Sequence, residues 1–188
     1  MALQKTMAAA ILTGGLSLRM GRDKSLLRYQ GQTLAALAAT KALKAGCWPL
    51  FVVGPKKPYG LPPGVLLLAE KWRGSGPLSG IEAALSEAGG PCLVLPCDMP
   101  FLSVAFLRRL VLAHGPRIRV TACAGELRPL PAVYDASLLP VIRRKLKAEK
   151  NALFPLLKSG RQRRVPCPKA FFLENLNSPK SMDRLRKL

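Results

Sequence analysis

The feature that most constrains this chain is the junction at its first apolar run. Met7 to Leu12 is followed by Thr13-Gly14-Gly15, and then by a loop that carries Arg19 and Lys24. An uninterrupted apolar run of this length reads as a buried strand, of the kind found in sheets covered on both faces. Adjacent glycines let the backbone take φ > 0 and come close to a bulky ligand, with N–H groups left to donate. Two cations at five-residue spacing then add a grip for negative groups, an arrangement that matches a triphosphate. Two familiar phosphate loops are excluded. The dinucleotide fingerprint needs Gly-x-Gly-x-x-Gly, whereas the glycines here are adjacent; the P-loop needs Gly before Lys-Ser, whereas Asp23 stands before Lys24-Ser25.

The rest of the chain alternates strand-like and helical segments. Thr33 to Lys44 is rich in Ala and Leu and closes at Gly46. Leu50 to Val53 and Val65 to Leu68 read as strands, Leu78 to Ala88 as a helix stopped by Gly89-Gly90, Cys92 to Leu95 as a strand and Ser103 to Ala113 as a helix. Beyond Pro116 the rhythm changes: Ile118 to Ala122 and Ala132 to Tyr134 read as strands, and Ser137 to Lys147, Ala152 to Lys158 and Pro179 to Leu188 as helices. Such alternation predicts a three-layer α/β/α sandwich around a mostly parallel, Rossmann-like sheet. The 188 residues form one expected domain, and the change of rhythm divides it at about 7–115 and 116–188. The loops from Pro55 to Pro63 and from Glu70 to Pro77 then fall at the carboxyl ends of strands, where open sheets bind ligands.

Composition excludes several classes. No apolar run approaches the ~18 residues of a membrane span, and the N-terminal run is too short for a secretory signal, so the expected location is the cytoplasm. Cys47, Cys92, Cys97, Cys123 and Cys167 are scattered, with no Cys-x-x-Cys pair, so buried reduced thiols are expected rather than zinc or disulfides. A net charge of +20 invites nucleic acid as a partner. Aromatic residues are not interleaved with the clusters Arg143-Arg144-Lys145 and Arg161-Gln162-Arg163-Arg164, however, and a basic surface concentrates small anions equally well. A solvated basic face is the preferred reading of both clusters. His114, the only histidine, reads as a helix-end residue.

Four further segments carry candidate chemistry. Asp98, in Pro96-Cys97-Asp98-Met99-Pro100, follows a buried strand, where a carboxylate can hold Mg²⁺ while the metal keeps waters and phosphate oxygens; the alternative is a helix cap, a place that Ser103 fills more naturally. Gly76-Pro77-Leu78-Ser79-Gly80 opens a helix whose free N–H groups can orient a polar ligand edge. Arg128-Pro129-Leu130-Pro131-Ala132-Val133-Tyr134 reads either as a contact to an anion, through Arg128, or as an edge strand in which proline discourages pairing. Asn175 and Asn177, in Asn175-Leu176-Asn177-Ser178-Pro179, lie on one side of an extended segment or cap a helix.

Taken in order, Leu12-Thr13-Gly14-Gly15, Arg19-Met20-Gly21, Asp23-Lys24, Gly76-Pro77-Leu78, Cys97-Asp98-Met99-Pro100 and Asn175-Leu176-Asn177-Ser178-Pro179 resemble the motifs of GT-A type nucleotidyltransferases, most closely the molybdenum cofactor guanylyltransferase family. The resemblance runs from Ile11 to Pro179 and implies a nucleotide-binding half at about 7–115 and an acceptor-binding half at about 116–188. It implies a GT-A type sheet and an enzyme that transfers GMP from GTP to molybdopterin with Mg²⁺, releasing pyrophosphate. It implies catalytic roles for Arg19, Lys24 and Asp98, with Asp98 as metal ligand. Nucleotide contacts fall on Leu12, Thr13, Gly14, Gly15, Lys24, Glu70, Gly76, Pro77, Leu78 and Asp98, and acceptor contacts on Arg128, Pro129, Tyr134, Asn175 and Asn177. Glu70 stands where the family usually has the Asp that reaches guanine, and Arg128 where many members have His or Gln. A transient contact with cofactor-insertion proteins or molybdoenzymes is also implied. The rival readings are a cytidylyltransferase of the same pterin, a nucleotidyltransferase of sugar phosphates or phospholactate, and a non-catalytic cofactor- or nucleic-acid-binding protein.

Overall fold

The computed structural model describes residues 6–14, 26–158 and 161–176. Its strands are β1 (Met7–Leu12), β2 (Arg28–Tyr29), β3 (Gln32–Thr33), β4 (Cys47–Val53), β5 (Leu66–Leu68), β6 (Cys92–Pro96), β7 (Ile118–Cys123), β8 (Glu126–Tyr134) and β9 (Gln162–Pro166). The helices are α1 (Leu34–Lys44), α2 (Pro77–Ala88), α3 (Val104–Leu112), α4 (Leu139–Lys147) and α5 (Phe154–Lys158). Seven strands form one sheet in the order β5-β4-β1-β6-β8-β7-β9, and β2 and β3 form a separate small hairpin. Neighbours pair in parallel except where β8 runs against β6 and β7. The sheet is therefore mixed but mostly parallel, with helices on both faces.

β1 shows why. Successive side chains of a strand point to opposite faces. Ala8, Ala10 and Leu12 join one core, against α2, α4 and α5; Ala9 and Ile11 join the other, against α1 and α3. With both faces covered, no position of the run can be polar. Small residues in β1 and α1 (Ala35, Ala39 and Ala42 are fully buried) let that helix sit close to the sheet. The helix ends follow local chemistry. Thr33 and Ser103 cap α1 and α3 through hydroxyls that accept from Ala36 and Phe106 N–H, both at 3.2 Å, each worth about 1 kcal/mol. α2 has Pro77 in its first turn and ends on Gly89 in the left-handed conformation.

One strand has no counterpart in the sequence expectations, and one expectation is corrected. The segment Arg161 to Arg164, read as a solvated basic face, keeps Arg161, Arg163 and Arg164 exposed and also carries most of β9, which pairs in parallel with β7 (Arg119↔Arg163, Thr121↔Val165). The proline-bearing segment Arg128 to Tyr134 is not an edge strand, since β8 lies between β6 and β7. Its prolines are accommodated because the register jumps. Val120 pairs with Ala132 and Thr121 with Arg128, so residues 129 to 131 bulge out of the ladder, where a missing N–H does no harm. The Thr121 hydroxyl closes the bulge by donating to the Pro131 carbonyl at 2.6 Å.

Candidate active site

The carboxyl ends of β1, β4, β5 and β6 meet at one edge of the sheet, and backbone hydrogen bonds draw the motifs together there. Thr13 and Gly14 N–H both donate to the Val53 carbonyl, at 2.9 and 3.3 Å, and the Thr13 hydroxyl donates to the same oxygen at 3.0 Å. The Cys97 N–H donates to the Leu12 carbonyl at 3.2 Å, which sets the Asp98 loop beside the glycine loop. The Leu176 N–H donates to the Asp98 carbonyl at 2.9 Å, bringing the exposed Asn175 to the same edge. Asp98 itself is half-buried and caps no helix, since Ser103 holds that place.

This corrects the expected chemistry of Gly14, the first glycine of the pair. The amides of Thr13 and Gly14 are not free for a ligand, because Val53 takes both. Nor does Gly14 adopt a positive φ. Its value is space: a Cβ on Gly14 would lie 2.9 Å from Glu70 Oε2. Gly80 faces the same carboxylate from α2, where a Cβ would lie 3.5 Å from Glu70 Oε1 and 2.8 Å from Leu12 Cδ2. Gly54, after β4, leaves room for the Thr13 hydroxyl, 2.3 Å from where its Cβ would be. The end of β1 and the start of α2 therefore close on one carboxylate. Burial pushes Glu70 above the usual glutamate range, against the opposing pull of the Arg73 guanidinium and the nearby Ser79 hydroxyl. Ser79 itself is completely buried.

Gly76 begins α2 at φ 65°, a left-handed conformation that glycine takes without strain. Leu78 is fully buried in the core, so only its backbone can serve a ligand. Arg128 is exposed and paired with Glu126 at 2.9 Å, and Pro129 is half-buried in the β8 bulge. Tyr134 departs from its expected role at the acceptor. It is wholly buried, pairs with Cys92 at the far end of β6, and donates its hydroxyl to the Pro129 carbonyl at 2.7 Å. Gly15, Arg19, Lys24 and Asn177 lie outside the described residues. Among the described residues no three His, Cys, Asp or Glu side chains cluster as a metal cage. A carboxylate such as that of Asp98 fits an ion that takes phosphate oxygens and water for its other ligands, as Mg²⁺ does.

Sequence reasoning missed Gly54, Gly80 and Lys41. Gly80 carried a signal, since glycine inside a helix is unfavourable unless something must approach closely. Lys41, on α1, had none: its ammonium donates to the carbonyl of Pro100, two residues beyond Asp98, and steadies that loop from below.

Residues 9–164 match the MobA-like NTP transferase domain. The chain belongs to that family. Among its relatives, the probable molybdenum cofactor guanylyltransferase of Opitutus terrae is 31% identical, over 96% of this chain and 95% of that protein. The probable molybdenum cofactor guanylyltransferase of Pelotomaculum thermopropionicum is 32% identical, over 94% and 90%. A crystal structure of molybdopterin-guanine dinucleotide biosynthesis protein A from Archaeoglobus fulgidus superposes with a TM-score of 0.79, covering 96% of this chain and 97% of that one at 21% identity. As a member of the MobA-like family the protein is a nucleotidyltransferase, and the motif-bearing edge at β1, β4, β5 and β6 is where such an enzyme's nucleotide site is sought. Among the described residues no helix is long and apolar enough to cross a membrane.

Proposed function

We propose that this nucleotidyltransferase transfers GMP from GTP to the terminal phosphate of molybdopterin, giving the guanine dinucleotide cofactor and pyrophosphate. The observation that carries the reading is the seat of Glu70, whose carboxylate lies against Gly14 on one side and Gly80 on the other. An ionised carboxylate offers two acceptors. Guanine presents two matching donors, its ring N–H and exocyclic amine, whereas cytosine and adenine do not offer that pair. The longer Glu fits where the family usually has Asp because both flanking residues are glycines.

The acceptor phosphate is already an anion, so the reaction needs no strong base. It needs two polyanions held together and charge stabilised at the α-phosphate. Asp98 would hold Mg²⁺, which when bound supplies a Lewis acid and neutralises phosphate charge. Arg19 and Lys24, together with the backbone of Gly15, are assigned by their motif to the phosphates. Asn175, tethered through Leu176 to Asp98, is assigned with Asn177 to the acceptor, together with Arg128 and Pro129. Arg128 must leave Glu126 to reach a phosphate, an inexpensive exchange for an exposed pair.

Pyrophosphate release tests this reading, measured with GTP, CTP, ATP or UTP in the presence of Mg²⁺ and molybdopterin, beside an Asp98→Ala control. Release with GTP alone, absent from the control, is the expected result. Preference for CTP would overturn the role of Glu70, and no release with any nucleotide would overturn the acceptor.

A further inference from the structure

The carboxyl end of the sheet also brings together two thiols that the transfer reaction does not use. Cys123 ends β7, and Cys167 comes directly after the end of β9. The strands pair in parallel up to Ala122↔Pro166, and the Cys167 N–H donates to the Ala122 carbonyl at 2.8 Å. The two cysteines are thus the next residues in register. Cys167 packs at the margin of the core formed with α1 and α3, where Val165, two residues before it, is buried; strand alternation from Ile118 and Val120, which face the other core, puts Cys123 on the same face as Cys167. Cys123 is 7% exposed and Cys167 half-buried, both are reduced, and the two thiols interact directly. Neighbouring strands lie about 4.8 Å apart, inside the roughly 4.4–6.8 Å span of Cα atoms that a disulfide bridges. Cys47 and Cys92 form no comparable pair, being fully buried in opposite cores.

The chain beyond Cys167 gives the pair a consequence. The Cys167 thiol donates to the Lys169 carbonyl at 3.3 Å, in the turn that enters the short 3-10 helix Ala170–Leu173. That helix leads to Asn175 and to the Leu176 N–H held by Asp98. Residues 167–176 therefore form a strap from the β7–β9 corner to the candidate active site. A disulfide has no proton to donate, so bridging Cys167 to Cys123 releases the Lys169 carbonyl and exchanges one anchor of the strap for another.

We propose that Cys123 and Cys167 are a redox-convertible pair, closed to a disulfide by exchange with a small-molecule disulfide, and that closure resets the strap at the acceptor side of the site. The exchange balances. One thiolate attacks the small disulfide and releases one equivalent of its thiol; the partner thiolate then attacks the mixed disulfide and releases the second. The protein gives up two electrons and two protons, and the small disulfide takes them. Burial holds the Cys167 thiol above its ordinary range, Arg109 pulling the other way, so Cys167 answers sustained rather than brief oxidation. The disulfide itself is independent of the proposed activity, whereas its effect on transfer rests on the reading of Asn175 as an acceptor contact.

The test incubates the full chain with oxidised glutathione, alkylates it, and maps peptides without reduction. The expected product joins Cys123 to Cys167, leaves Cys47 and Cys92 as free thiols, and reverts with dithiothreitol. Cys123→Ala should stop at a glutathione adduct on Cys167. A persistent adduct on wild-type Cys167, or a bridge to any other cysteine, overturns the pair. In the bridged protein the acceptor KM should rise roughly tenfold, as for one lost polar contact, with the GTP KM unchanged; an unchanged acceptor KM overturns the coupling to the strap. Absence of transfer in both redox states would instead count against the proposed function, and the peptide map would still decide the disulfide.

Discussion

On the β4–β1–β6 side of the sheet, the residues at the candidate nucleotide site are fastened by backbone. Val53 takes two amides and a hydroxyl from Thr13 and Gly14, Leu12 takes the Cys97 amide, and three glycines leave just enough room for Glu70 and Thr13. On the β8–β7–β9 side the candidate acceptor residues hang on looser supports. Arg128 is held by an exposed ion pair, Asn175 by its neighbour's amide, and the ladder between β7 and β8 skips three residues. The contrast has a chemical reason. A triphosphate and a base must be placed accurately against reacting atoms, which favours strand ends locked by parallel pairing. A second substrate must enter and leave, which favours side chains that change partners at little cost.

Substitutions can break that comparison. The largest effect is expected at Asp98: Asp98→Ala should lower turnover about 10³-fold, the loss of several kcal/mol of charge stabilisation, while Tm stays within a few degrees. Normal turnover there would remove the locked half from the chemistry. Glu70→Gln comes next, with a loss of roughly 10–100-fold in the preference for GTP over CTP. Gly14→Ala should reproduce part of that loss by displacing the carboxylate, and competition binding reads both.

Glu70 also gives a pH dependence. Burial raises its folded pKa above the unfolded value, so its contribution to stability is fully present below the unfolded pKa and is lost as pH rises through the folded one. At neutral pH Glu70→Gln should therefore raise Tm even as it weakens GTP binding. Wild-type GTP affinity, in turn, should begin to fall on acidification at a higher pH than an ordinary glutamate would dictate. Unchanged Tm together with unchanged affinity would mean that Glu70 is a spectator.

Smaller effects sharpen the other half. Tyr134→Phe should cost about 1 kcal/mol in denaturant unfolding, the value of its bond to Pro129, and leave the acceptor KM alone. A raised acceptor KM without loss of stability would return Tyr134 to the site. Smallest of all, Glu126→Ala should change stability by less than about 1 kcal/mol and lower the acceptor KM slightly by freeing Arg128.

Much of this was legible in the amino-acid order because local chemistry speaks for itself where a strand is buried on both faces. Met7 to Leu12 came out with its observed ends, and Thr33 and Ser103 at the starts of their helices. β9 was hidden because an edge strand with exposed arginines shows no apolar run, and the β2–β3 hairpin because its strands are two residues long. At the candidate site, the sequence order marked Gly14, Glu70, Gly76 and Asp98 as a group. It misjudged Tyr134, since a tyrosine in a strand shows its face only once the register is known.

Sequence by itself thus determined which residues sit at strand ends, because the switch from apolar run to glycine or Asp-Met-Pro punctuation is written locally. It also pointed to the family, because several short motifs in a set order are far more specific than any one of them. Only the tertiary structure decided that the first glycine of the pair serves Glu70 rather than a free amide, that Tyr134 belongs to the core, and that Cys123 meets Cys167. Each of these depends on register and close approach between segments far apart in the chain, and no local propensity encodes such distances.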